Sequence, residues 1–175
     1  MRKFYQFAIA AAAVCVMAAC GNKSGNETKD ADSTKAEQPA QAEAPQSRDA
    51  ETAFFSVTAP EGWKVEVDTT WDAHKDVRME DVNSTETFKP AIRVKVHKEK
   101  KMQEAIEYLT KGSDTYKKGA DYKAGNWTFT TVRGSNGLNN CFAQLDGGRL
   151  LEVETIYIDP ENEAVKPVVE SIKLK

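Results

Sequence analysis

Between Gly21 and Thr52 the chain runs for 32 residues without one Val, Ile, Leu, Met or aromatic side chain, and is filled with Ala, Lys, Glu, Asp, Ser, Gln and Pro. Such a stretch cannot bury enough apolar surface to offset the entropy of ordering it. It is expected to be a disordered tether, with a root-mean-square reach on the order of 30 Å. Folding is thereby confined to residues 53–175, a length that suits one compact core.

The segment before the tether has a different character. Arg2 and Lys3 are followed by an apolar run from Phe4 to Ala19, interrupted only by Gln6. The run is short for a membrane-spanning helix of ~20 residues and has the layout of a cleaved secretion signal over 1–19. Its end, Met17-Ala18-Ala19-Cys20, resembles the lipobox of bacterial lipoproteins, with Met17 in place of the usual Leu or Val. The resemblance implies that Cys20 becomes a lipid-bearing amino terminus, its thiol carrying diacylglycerol and its amine a further acyl chain. Several chains, at ~0.8 kcal/mol per buried CH₂, anchor stably where one does not. The alternative is an ordinary signal cut after Ala19 that leaves Cys20 as a free thiol. With Gly21 rather than Asp after the cysteine, the resemblance implies an envelope lipoprotein of the outer membrane.

Of the net charge of −3, Arg2 and Lys3 contribute +2 and the tether −3, which leaves the domain at −2. That balance excludes the basic footprint of a nucleic-acid binder and a polybasic membrane patch. The only cysteine beyond Cys20 is Cys141, so the processed chain has no disulfide within its domain. Flanked by Ala143 and Leu145 on one side of a strand, Cys141 is expected to be a buried, inert thiol.

Within the domain, Phe54–Thr58 and Trp63–Asp68 read as strands separated by the turn signal Pro60-Glu61-Gly62, a plausible opening hairpin. Val77–Val82 is a possible short strand. Ile92, Val94 and Val96 alternate with Arg93, Lys95 and His97, a strand with a basic outer side. Met102, Ala105, Ile106 and Leu109 recur at helical spacing ahead of Gly112, a C-cap glycine, although Lys98, Lys100 and Lys101 are unfavourable near a helix start. Trp127–Arg133, Asn140–Asp146 and Arg149–Ile158 form a meander with Gly-rich turns. Asp159-Pro160-Glu161 opens a last helix with the stripe Val165, Val168, Val169 and Ile172, which Pro167 should kink or restart. The expected fold is α+β, a mostly antiparallel sheet of about six strands flanked by helices.

Phe55-Ser56-Val57-Thr58-Ala59-Pro60-Glu61-Gly62-Trp63, the middle helix, the meander and Val168-Val169-Glu170-Ser171-Ile172-Lys173 together resemble the PsbP-like superfamily, which includes the Ran-binding Mog proteins and many bacterial lipoproteins. The resemblance spans most of 53–175. It implies an α/β/α sandwich and an activity of binding or assembly rather than catalysis, and a fold likeness does not supply the partner.

Chemical motifs are sparse. The chain has no Gly-rich phosphate loop, Cys-x-x-Cys, His-Glu-x-x-His, Gly-x-Ser-x-Gly or Ser-x-x-Lys. No enzyme signature, resident metal or cofactor is therefore expected. Asp72, His74 and Asp76 alternate, so an extended segment would point all three one way toward a divalent metal, unless they form a solvated loop. Arg93, Lys95 and His97 would meet an acidic ligand or partner, unless they are a plain solvent-facing side. Trp71 and Trp127 are candidates for glycan or protein contact, or for the core. Asp32-Ser33-Thr34 and Asp68-Thr69-Thr70 match a short bacterial O-glycosylation signal. Three functions stay open. The first is a non-enzymatic accessory that binds another envelope protein or assists assembly; the second is a module for a small ligand, glycan or metal. The third is an envelope hydrolase, since catalytic carboxylate pairs leave no local motif.

Overall fold

A computed structural model describes residues 48–175; the leader, Cys20, Asp32-Ser33-Thr34 and the tether up to residue 47 lie outside them. The elements are β1 (Asp49–Glu51), β2 (Phe55–Thr58), β3 (Lys64–Asp68), β4 (His74–Glu80), β5 (Ala91–His97), α1 (Met102–Thr110), β6 (Tyr116–Ala124), β7 (Trp127–Gly134), β8 (Leu138–Gln144), β9 (Leu150–Ile156), α2 (Val165–Ser171) and β10 (Lys173–Leu174). They form an antiparallel seven-stranded sheet in the order β3-β4-β5-β9-β8-β7-β6, and a three-stranded one in the order β1-β2-β10.

The domain is thus mostly β, and the expected α/β/α sandwich with a six-stranded sheet and flanking helices is overturned. Three local causes account for the difference. The polar, lysine-rich stretch Tyr116–Ala124, to which the sequence pattern assigns no element, is an edge strand: it pairs only with β7 and carries a register shift between Lys118 and Asp121. Lysines and a bulge are what a sheet edge tolerates and a central strand does not. Asp49–Glu51, at the end of the expected tether, is already a strand whose Ala50 lies opposite Val57 and enters the core.

The last helix, third, does not run from Pro160. A helix through Pro167 would set its ring against the carbonyl four residues back. Residues 160–164 instead stay in turns, with Asp159 Oδ1 accepting the Glu161 N–H at 2.8 Å and Asn162 Oδ1 the Ala164 N–H at 2.9 Å. In α2 Pro167 is the third residue, where a helix N–H has no intrahelical partner in any case.

The expected opening hairpin is also replaced. β2 pairs with β1 and with β10, which joins Ser56 to Lys173, while β3 pairs with β4 in the other sheet. Gly62, at φ +77°, hands the chain from one sheet to the other. The period-two signal that marks both strands fixes which side is buried but not which neighbour is paired.

One side of the large sheet carries the main core. Val77, Met79, Ile92, Val94, Val96, Phe129, Cys141, Leu151 and Val153 pack there with Phe55 and Val57 of β2 and Val165, Val168 and Val169 of α2. The other side is covered only in part: Ala105 and Ile106 of α1 pack on Val132, Phe142 and Leu150 of β7, β8 and β9. The lysines before α1 are tolerated because its cap comes from elsewhere. Gln144 accepts the Met102 N–H at 2.8 Å and donates to the carbonyls of Lys100 and Arg149. Helix α1 leaves the polar side of β3, β4 and β5 uncovered.

Candidate functional site

The alternation that buries Ile92, Val94 and Val96 turns Arg93, Lys95 and His97 to the uncovered side, and register brings charged residues of the neighbouring strands beside them. One row across the sheet is Glu66, Arg78, Arg93 and Glu154; the next is Asp68, Asp76, Lys95 and Glu152; the third begins His74, His97. Each neighbour in a row is a direct cross-strand partner, the arrangement in which side-chain pairs interact most strongly. Arg78 faces Arg93 and Asp68 faces Asp76, like against like, while opposite charges meet both within rows, as in Arg93–Glu154 and Lys95–Glu152, and on the diagonals, as in Lys95–Glu154 and His97–Glu152.

Lys95 Nζ lies 3.4 Å from Glu154 Oε2 and 3.5 Å from Glu152 Oε1, and Arg93 reaches Glu154 at 3.7 Å and Asp76 at 3.9 Å. His97 Nε2 meets Glu152 Oε2 at 2.8 Å, and Lys100, just before α1, adds a contact to the same oxygen at 3.5 Å. Burial alone would push Glu152 up, but the His97 hydrogen bond with Lys95 and Lys100 outweighs it and brings the carboxyl down to about 2. Asp76 and Glu152 are buried, and Arg93 Nε is buried without a hydrogen-bond partner. The basic strip legible in β5 is thus half of a mixed-charge lattice.

The two sequence candidates converge: His74 and Asp76 of β4 lie beside His97 and Lys95 of β5. The His74 and His97 rings are 5.2 Å apart, and Trp71, 59% exposed, stacks on His74 at 6.0 Å. Burial, then His97 and Lys95, hold His74 below the usual imidazole range against the pull of Asp76. Asp72 stands apart, exposed in the connection before β4. Among the described residues no group of three His, Cys, Asp or Glu could hold a metal ion.

Next to the lattice, a cavity of about 410 Å³ is lined by Glu66, Val67, Asp68, Thr69, Thr70, Asp76, Arg78 and Arg93, almost all polar. Asp68 and Asp76, direct cross-strand partners, both line this cavity. A glycosidase acid must hold a proton near neutral pH. Asp68 does the reverse: hydrogen bonds from Thr70, including its N–H at 2.8 Å, hold the carboxyl below its usual range. Thr69 and Thr70 of the Asp68-Thr69-Thr70 signal are exposed in the β3–β4 turn.

Trp127 packs against the main core, so of the two tryptophans considered only Trp71 is a surface group. Cys141 is fully buried, and burial, opposed by Tyr122 and Arg133, pushes its thiol up to about 12. The sequence does not mark Glu152, Glu154, Arg78 or Lys100 as site residues, and Lys100 draws attention there only as an unfavourable charge ahead of α1. The alternation Leu151-Glu152-Val153-Glu154 carries the signal that marks β5, but nothing local shows that β5 and β9 are neighbours.

Comparison with protein-family models, with curated proteins and with solved structures gives no match. The likeness to the PsbP-like superfamily rests on the sequence motifs alone.

Proposed function

We propose that the chain is a non-catalytic lipoprotein of the bacterial envelope, anchored through acylated Cys20, probing its surroundings on the tether and binding another envelope protein with the charged side of β3, β4, β5 and β9. The observation that carries this reading is the lattice itself. It is built from both signs of charge across four strands, on the part of the sheet that α1 leaves uncovered.

Small-molecule sites are concave and mostly apolar, with a few polar groups for orientation. The cavity beside the lattice has the opposite make-up. A patterned array of both signs suits a protein surface with the complementary pattern, where charge sets register, partner choice and encounter rate more than raw affinity. Asp68, held below its usual range, does not supply the protonated carboxyl that a glycosidase's general acid needs. Among the described residues no helix is long and apolar enough to cross a membrane; the proposed anchor rests on the lipobox-like Met17-Ala18-Ala19-Cys20.

The test is crosslinking and affinity capture of the lipidated protein from intact cells, with Cys20→Ala and the double change Arg93→Ser, Lys95→Ser as comparisons. Both changes are expected to reduce recovery of the same discrete partner. Unchanged recovery with the double change would remove the lattice from the proposal, and unchanged recovery with Cys20→Ala would remove the anchor.

A further inference from the structure

A second surface feature lies away from the charged lattice, between the β4–β5 loop and the segment after β9. Tyr157 is the only non-glycine at positive φ, +54°, among the described residues. A bulky aromatic in that region is uncommon, and such backbone persists only where the surroundings hold it. They do so here. The Tyr157 N–H donates to the Gly137 carbonyl at 2.8 Å, and the ring lies so close to Gly137 that a Cβ there would come within 2.7 Å of it.

On the ring stacks Phe88, with centroids 4.7 Å apart and planes at 17°. Neither is a core residue: Phe88 is 60% exposed and Tyr157 46%. Phe88 is presented by a loop tied down internally, since Asp81 Oδ1 accepts the Asn83 N–H at 3.1 Å, Ser84 Oγ the Glu86 N–H at 3.2 Å, and Lys89 donates to the Val82 carbonyl at 2.9 Å. Tyr157 is therefore held in strained backbone against Gly137, and Phe88 is presented on its ring by a loop that does not need it for packing.

The cleft at this pair has a volume of about 720 Å³, and its walls alternate apolar and polar groups: Phe88, Pro90, Tyr157 and Ile158 with Glu86, Thr87, Asp159 and Asn162. Among the described residues no Lys or Arg lines it, and the nearby Arg133 is taken up by Asp159 at 2.6 Å and Glu161 at 2.8 Å, which disfavours phosphates and acidic sugars. Carboxylate, amide and hydroxyl groups beside an exposed ring match a ligand with apolar C–H faces and hydroxyl edges. We propose that this cleft binds a neutral glycan, one pyranose ring lying on the outer face of Phe88 and its hydroxyls directed to Glu86, Thr87 and Asn162.

The probes are neutral trisaccharides of gluco, manno, galacto and N-acetylglucosamine configuration, titrated into the whole chain and followed by amide NMR shifts and by calorimetry, with an apolar tetrapeptide in parallel. Saturable shifts at Gly137, Tyr157 and Asn162 are expected with at least one sugar. Phe88→Ala should weaken that binding by about tenfold or more, an effect readable as a Kd ratio, with only a small loss of thermal stability because Phe88 is 60% exposed and gives up little beyond its stacking on Tyr157. Phe88→Tyr, which keeps the ring, should restore it. Absence of saturable binding with every sugar, binding unaltered in Phe88→Ala, or shifts at these residues with the tetrapeptide alone would each overturn the assignment.

Discussion

Replacing Glu152 by Gln removes one charge from the middle of the lattice and almost nothing from its shape. The carboxylate is 6% exposed and is met by His97 at 2.8 Å and by Lys95 and Lys100 at 3.5 Å. Its pKa falls from 4.5 to about 2 on folding. At ~1.4 kcal/mol per pH unit this corresponds to about 3 kcal/mol of stability at neutral pH. Because the folded value is the lower one, that contribution is fully present above about pH 4.5 and is lost as the pH falls toward 2. Urea unfolding of the wild type and of Glu152→Gln at pH 7, 5 and 3 measures it directly. The difference should be about 3 kcal/mol at pH 7, nearly the same at pH 5 and clearly smaller at pH 3. Acid effects at groups that do not touch Glu152 are common to both proteins and cancel. A difference under about 1 kcal/mol at pH 7, the value of an exposed ion pair, would refute the burial argument. A difference that holds constant to pH 3 would refute the electrostatic one.

Other parts of the structure are open to equally direct tests. In a Cys15→Ala, Cys20→Ala chain, Cys141 should react with a thiol reagent at neutral pH only as fast as the protein unfolds, because the thiol is buried and pushed up to about 12; rapid labelling of the native state would contradict this. Gly137→Ala should destabilise by at least about 1 kcal/mol in urea unfolding, since it places a Cβ at φ +82° against the Tyr157 ring. Phe142→Ala should cost about 3–5 kcal/mol by the same assay, because Phe142 is the largest side chain fully enclosed between α1 and the sheet; a cost near zero would mean that α1 is not docked there.

What could be read from the chain alone follows the range of the signals. The alternation in Ala91–His97 comes from a strand with one side in the core. The meander strands, buried on both sides where α1 covers them, stand within two residues of the expected bounds, β8 running Leu138–Gln144 rather than Asn140–Asp146 and β9 ending at Ile156 rather than Ile158. Helix α1 was legible from Met102, Ala105, Ile106 and Leu109 with Gly112 beyond it, and its weak start only made sense once Gln144 was found to cap it. Partnership was not legible. The Pro60-Glu61-Gly62 turn suggested that β2 and β3 pair, whereas they belong to different sheets. Edge strands escaped for a related reason: β6 needs no run of branched apolar residues when one side of its backbone faces no neighbour.

The candidate site shows the same limit. Arg93, Lys95 and His97 were visible as a group because a single strand carries them, as were His74 and Asp76. That these are one site, and that Glu152 and Glu154 turn its charge from basic to mixed, depends on β4, β5 and β9 lying side by side. The Phe88–Tyr157 pair joins residues on two loops whose proximity has no sequence signature.

The central claim is that the lattice faces a partner in the envelope. The most direct measurement places a photoreactive side chain at position 78, on the lattice, or at position 118, on edge strand β6, of the lipidated protein in intact cells, and compares the adducts after illumination. Position 78 should give one discrete adduct that weakens with added salt, as complementary charge requires, and position 118 should give none of it. The same adduct from both positions, or no adduct from position 78 alone, would contradict the account.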